Sequence, residues 1–266
     1  MSQSAPILTS RQNPLVKQLC KLHRAKERSR QKLSLLEGTN LAEVALQVSY
    51  PLQTVCFTEA WRSRHPSLYQ QLRAGSADLV EVSADVLAAI ATTAHPDGIV
   101  ATAPRQPARP PQLPCALGVA VETLQDPGNL GTIFRTAVAA GVDGLWLSRD
   151  CVGYDHPKVL RASAGQWLRL PFGEVETLAE TAAQAKREGV RVVATDPRAS
   201  QAHWDYDWRQ PSLILLGNEG AGLSPSALAA ADEAISIPLA AEVESLNAAV
   251  CLAIVLYEAR RQRHLG

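Results

Sequence analysis

A chain of 266 residues with 46% hydrophobic content can bury a substantial core, as one large domain or two modest ones. Its 26 Lys and Arg balance its 26 Asp and Glu, so overall charge selects no class of partner. Five widely spaced cysteines without a CxxC pair argue against a disulfide framework or a zinc site, and no metal is expected.

The amino-terminal residues hold no long apolar core, so no secretory signal is expected; their Ser-rich, acid-poor character is faintly like a transit peptide. Residues 14–32 read as one basic helix. Between 11 and 32 lie Arg11, Lys17, Lys21, Arg24, Lys26, Arg28, Arg30 and Lys32, against Glu27 alone. Such an arm suits either phosphate binding or a solvated helix face. Strands are predicted at LSLLEG, LQTVCFTE, DLVEVS and GIVATA, with helices at 40–48, 66–74 and 84–91, which gives a small α/β domain.

The stretch PRQPARPPQLP holds five prolines and reads as an extended linker. The predicted division is 1–104, a proline-rich linker at 105–114, and a second domain at 115–266. That second domain carries buried-looking strands at CALGVAVE, GLWLS, VRVVATD, SLILLG and AISIPL, with helices between them. The pattern predicts a parallel sheet covered on both faces. A last helix is predicted from Ser245 to about 263. Its apolar run at 248–257 is too short to span a bilayer, and no membrane partner is expected.

Three strand-end segments combine glycines with polar residues, where parallel sheets hold ligands. In DPGNLGTIFR, Asp126, Pro127 and Gly128 form a turn, and Asn129 and Gly131 open a helix. Arg135 falls off the apolar face of that helix, in its first turns. A cation near the positive end of a helix is unfavourable unless an anion is nearby. In LILLGNEGAGLS, a strand ends at Gly217 and is followed by Asn218, Glu219 and Gly220, with a helix cap at Ser224 before Pro225. In IPLAAEVESLNAAV, Ser245 reads as an N-cap and Asn247 as a first-turn amide that needs partners. No GxGxxG occurs, so a Rossmann dinucleotide enzyme is poorly supported.

Together these segments resemble the SpoU (TrmH-like) family of RNA 2′-O-ribose methyltransferases, within the knotted SPOUT group. The first motif is matched by Asn129, Gly131 and Arg135, the second by Gly217, Glu219 and Gly220, and the third by Ile237, Pro238, Ser245, Leu246 and Asn247. The intervening HPKVLRASAGQWLRLPF is similar too, through Pro157, Lys158, Arg161, Ser163 and Gly165. The chain from Leu8 through LLEGTNLAEVAL resembles the family's amino-terminal, ribosomal-protein-like RNA-binding domain, which leaves little room for a transit peptide.

The resemblance implies an α/β fold with a parallel sheet and a trefoil knot, preceded by a small α/β RNA-binding domain. It implies S-adenosylmethionine (SAM) as cofactor, RNA as substrate, a homodimer with composite sites, and a cytoplasmic location. Ribosomal RNA is expected ahead of transfer RNA. Arg135, Asn129, Glu219, Ser245 and Asn247 become the expected catalytic set. Glu219 would orient Arg135 or Asn129. Gly217, Ile237 and Leu246, with Thr195 at a strand end, become the cofactor lining. Arg11, Lys17, Lys21 and Arg24 become RNA contacts. Three departures stand out: Ala241 where the family has glycine, Asn40 where it often has a basic residue, and HPDG in place of Pro-Gln-Gly. The alternative is a non-catalytic RNA-binding protein on the same fold.

Overall fold

The structure is a computed structural model and describes residues 6–75 and 77–264. The first half of the chain forms α1 (Pro14–Lys21), α2 (Ala25–Gln31), β1 (Leu33–Glu37), α3 (Thr39–Gln47), β2 (Thr54–Phe57), α4 (Glu59–Arg64), α5 (Pro66–Ala74), β3 (Asp78–Glu81), α6 (Ala84–Ile90) and β4 (Ile99–Pro104). The second forms β5 (Leu117–Val121), α7 (Pro127–Ala140), β6 (Gly144–Ser148), α8 (Pro157–Ala162), β7 (Phe172–Val175), α9 (Leu178–Arg187), β8 (Arg191–Thr195), β9 (Gln201–Ala202), β10 (Ser212–Leu216), α10 (Pro225–Ala230), β11 (Glu233–Ser236) and α11 (Ala248–His264).

These elements group into two compact units. The first runs through Gln106 and also takes Asp155–Leu168, which carries α8; the second holds Pro107–Tyr154 and the chain from Arg169 onward. Linear boundaries do not express that excursion.

In the first unit the sheet order is β1-β4-β2-β3, with β4 antiparallel to both neighbours and β2 parallel to β3. Val16 and Leu19 of α1 and Val86, Leu87 and Ile90 of α6 bury against Leu35, Cys56 and Val100. The single helix expected at 14–32 is instead two. The chain turns after Lys21, where Leu22 drops into the core with no exposed surface. Arg28 stabilises the break. Its Nη1 donates to the carbonyls of Leu22 (3.0 Å) and His23 (3.1 Å), groups that a helix end leaves unpaired. The same guanidinium pairs with Asp155 at 3.3 Å, and Arg105 takes the other carboxylate oxygen at 2.6 Å. Arg161 of α8 pairs with the buried Glu37 at 2.8 Å.

The second unit is a seven-stranded sheet, β7-β6-β5-β10-β8-β11-β9, parallel at every pairing. β5, β6 and β10 are buried along their whole length, as their unbroken apolar runs require. After β5 the chain moves outward through β6 and β7. It then returns, and β10 inserts between β5 and β8. This reversal opens a crevice at the carboxyl ends of the strands. β7 and β9 were not expected: FGEV and the two-residue QA carry no apolar run. The proline-rich stretch lies on the sheet. A Cβ at Gly173 of β7 would fall 2.0 Å from the backbone nitrogen of Pro110, so only glycine admits the contact.

Candidate functional site

α7 begins earlier than its sequence suggests. Asp126 caps it by accepting from the Asn129 N–H at 2.9 Å, and Pro127 takes the first helical position, where its missing N–H costs nothing. Arg135 therefore lies in the third turn, beyond the reach of the positive helix end, and the dipole argument for it lapses. It is exposed because Ile133, Phe134 and Ala137 take the core side. It makes no ion pair among the described residues.

The last helix also starts differently. Its first residue is Ala248, and Asn247 is its cap: the amide oxygen accepts from the N–H groups of Ala249 (3.0 Å) and Val250 (3.3 Å). Ser245 lies outside the helix, exposed, and is not the cap. This fixes the direction of a polar chain. With its oxygen committed to α11, Asn247 must present its NH2, which donates to Asn129 Oδ1 at 2.9 Å. Asn129 in turn donates from Nδ2 to Glu219 Oε1 at 2.8 Å. Glu219 thus orients Asn129 and not Arg135.

Glu219 sits on a loop held by its neighbour. Asn218 donates to the Thr123 carbonyl at 2.8 Å, and its oxygen accepts from the N–H groups of Gly220 (2.9 Å) and Ala221 (3.0 Å). Paired backbone hydrogen bonds of 3.0 Å between Asn218 and Gly222 close the loop. A Cβ at Gly217 would fall 2.2 Å from the Gly222 carbonyl carbon, so this closure requires glycine. Thr123, where β5 ends, is held at φ 55°, an unusual conformation for a β-branched residue. Hydrogen bonds from its N–H to Ser148 (2.9 Å) and from its hydroxyl to Asp150 (2.6 Å) hold it there.

Beside this loop is a cavity of about 410 Å³. Thr195, Gly217, Glu219, Ile237, Ser245 and Leu246 line it, so six of the nine expected catalytic and cofactor positions converge. Asn129 and Asn247 join them through the polar chain. Arg135 does not: it neither lines the cavity nor bonds to that chain. The Thr195 hydroxyl donates to the Leu215 carbonyl at 3.0 Å and so contributes a wall, not a free donor. Leu216, Leu223, Leu228 and Val255 supply apolar surface. Burial raises the thiol of Cys251, another lining residue, above the usual cysteine range. The sequence names Asn218 in its loop without showing its role, and Asp196 was not among the expected site residues. An Asn before Glu-Gly signals a side-chain-closed turn, and Asp196 directly follows β8, at the ligand-bearing end of the sheet.

Arg11, Lys17, Lys21 and Arg24 are exposed on the other unit and make no ion pair among the described residues. No group of three His, Cys, Asp or Glu able to hold a metal occurs among the described residues, and no described helix is long and apolar enough to cross a membrane.

Residues 116–257 match the SpoU rRNA methylase family. The chain belongs to that family. This SpoU methylase also matches an MRM3-like substrate binding domain over residues 13–101. It is 46% identical to an uncharacterized tRNA/rRNA methyltransferase of Synechocystis, over 96% of this chain and 94% of that protein. It is 32% identical to the 23S rRNA (guanosine(2553)-2′-O)-methyltransferase RlmP of Bacillus subtilis, over 95% of this chain and 98% of that protein. Among solved structures, it superposes on the SpoU methyltransferase AviRb of Streptomyces viridochromogenes in complex with AdoMet. The TM-score is 0.86 at 29% identity, over 96% of this chain and all of that one.

Proposed function

We propose that this SpoU methylase transfers a methyl group from SAM to the 2′-hydroxyl of a ribose in ribosomal RNA. The observation that carries the reading is the directed chain from Asn247 through Asn129 to Glu219, set beside a cavity at the sheet's reversal point. The residues fit the cofactor. A cavity of about 410 Å³ lies within the usual range for small-molecule sites, roughly 300–1,000 Å³. Its apolar walls suit a purine, and the glycine backbone at Gly217 allows close approach. Gly217, Ile237 and Leu246 hold the nucleoside, with Thr195 as wall. Bound there, the cofactor supplies an electrophilic sulfonium methyl.

Arg135 is the proposed RNA-facing catalytic residue. A guanidinium keeps its proton in proteins, so it is a poor base, whereas its fork matches a phosphate. It grips the target's phosphate and orients the ribose. No histidine falls in the three motif segments, so the hydroxyl proton leaves to a phosphate oxygen or to water. Asn129, Ser245 and Asn247 position the acceptor and cofactor, and Glu219 fixes Asn129. Arg11, Lys17, Lys21 and Arg24 of the first unit hold the RNA backbone.

The functional unit is a homodimer in which Arg135 serves the cavity of a second copy. Two features support this. Arg135 is absent from its own cavity, and α11, which bonds to α7 through Arg260 and the Ala139 carbonyl, leaves Val250 and Tyr257 exposed seven residues apart on one face. The convergence of the 237–247 loop with the ends of β8 and β10 supports a threaded carboxyl-terminal segment, an exception to the general absence of knots. The proposed location is the cytoplasm. Replacing Arg135 with Lys tests the catalytic assignment. Turnover falls roughly a hundredfold, about 2.7 kcal/mol of transition-state stabilisation, while S-adenosylhomocysteine affinity stays within about twofold. Near wild-type turnover refutes the role.

A further inference from the structure

Asp196 is a lining residue that combines a backbone fixed at two strand ends, an ionised carboxylate and spare acceptor capacity. It follows β8 directly, and its N–H donates to the Ile235 carbonyl at 2.9 Å, which fixes it between the ends of β8 and β11. Its carboxylate is folded onto the next turn. Oδ1 accepts from the Arg198 N–H (2.9 Å) and Nε (3.0 Å), and Oδ2 accepts from Nη2 (3.1 Å). A carboxylate offers about four lone-pair positions, so one on Oδ2 remains for a ligand. The Arg198 hydrogen bonds hold this carboxyl below the usual range, so it is an acceptor at neutral pH.

The other charged lining residues differ. Glu219 is tied by one oxygen to Asn129 of the polar chain and by the other to its neighbour Asn218, and Glu244 stands exposed on the loop that precedes α11. The Arg198 side chain is 79% exposed against 16% for Asp196, so the pair is anchored on the acid and exchangeable on the base. In Rossmann folds that bind NAD an acidic residue accepts from the ribose 2′-hydroxyl; Asp196 offers the same chemistry at a strand end of a different fold.

We propose that Asp196 is a specificity residue of the cofactor cavity, accepting a hydrogen bond from the vicinal diol of the S-adenosyl nucleoside, with Arg198 closing over the carboxylate when no ligand is held. The assignment rests on the methyltransferase reading of the cavity and goes beyond it by naming the group that reads the sugar. Calorimetry on the full chain tests it, with S-adenosylhomocysteine and its 2′,3′-dideoxyribose analogue as probes. Wild-type protein prefers the diol by roughly ten- to hundredfold, the range for a hydrogen bond to a charged group. Asp196→Ala reduces that ratio to about threefold or less, mainly by weakening the diol ligand. Arg198→Ala leaves the ratio in place. Melting curves identify any variant that fails to fold; for Asp196→Ala, Asp196→Asn then serves, with an intermediate ratio expected. An unchanged ratio in a folded Asp196 variant, or no preference in the wild type, overturns the proposal while leaving the methyltransferase reading intact. Failure of S-adenosylhomocysteine to bind the wild type overturns both.

Discussion

Two arginines on helices of different units have opposite fates. Arg28 stands in the most basic stretch of the chain, where charge alone suits either phosphate binding or a solvated helix face. Yet it is 1% exposed, closes the carbonyl end of α1 and pairs with Asp155. Arg135 stands in the largely apolar helix α7, with no other charged residue near it in the sequence. It is exposed and makes no ion pair among the described residues. Density of charge in the sequence therefore does not say whether a given arginine ends exposed or buried. What separates the two is the geometry of the core face: the turn after Lys21 brings Arg28 inward, whereas the spacing of Ile133, Phe134 and Ala137 turns Arg135 outward.

That contrast is sharpest in stability. Arg28→Ala leaves Asp155 with only Arg105 and unpairs two carbonyls, and urea unfolding should show a loss of about 3–5 kcal/mol. A loss below about 1 kcal/mol would mean that Arg28 behaves as a surface residue. Arg135→Ala should leave the unfolding midpoint unchanged and abolish turnover. Mixed with Leu246→Arg, which places a charge in the proposed cofactor cavity, it should recover about a quarter of wild-type activity if subunits pair at random into the proposed composite sites. No recovery would place Arg135 in its own subunit's site. Asn247 offers a smaller and more selective break. Asn247→Ala should cost about 1 kcal/mol through the lost cap. Asn247→Asp keeps the cap but replaces the donor that faces Asn129 with an acceptor. Its stability should stay near wild type while S-adenosylhomocysteine affinity falls, and equal affinity would mean that the polar chain is passive. The smallest effects belong to the basic arm. Lys17→Ala and Lys21→Ala should each weaken RNA binding modestly and reduce its salt slope by about 1. An unchanged slope would remove these residues from the RNA contact.

The parallel sheet was legible wherever a strand is buried on both faces, because LGVAV, GLWLS, SLILL and the VVA centre of β8 carry apolar runs that both faces must cover. β7 and β9 were not, since neither short strand carries an unbroken apolar run. The break between α1 and α2 was hidden because it depends on Arg28 reaching back to the carbonyls of Leu22 and His23, a contact that helical periodicity cannot express. The motif residues could be named from their resemblance to a family. Their connection could not: Asn129 and Glu219 lie 90 positions apart, and Asn129 and Asn247 lie 118 apart. The direction of their hydrogen bonds follows only once Asn247 is seen to cap α11. Taking Ser245 as the cap assigns the wrong side chain to that task and leaves the amide chain without a fixed orientation.

The central claim is that this chain methylates a ribose hydroxyl of ribosomal RNA with SAM as donor. The most direct test is to incubate purified protein with ribosomal RNA and isotopically labelled SAM, digest the RNA to nucleosides and read the labelled product by mass spectrometry. The account predicts a single 2′-O-methylated nucleoside, formed by the wild type and absent with Arg135→Ala. Label on a base, or no label in RNA although the cofactor binds, would contradict it.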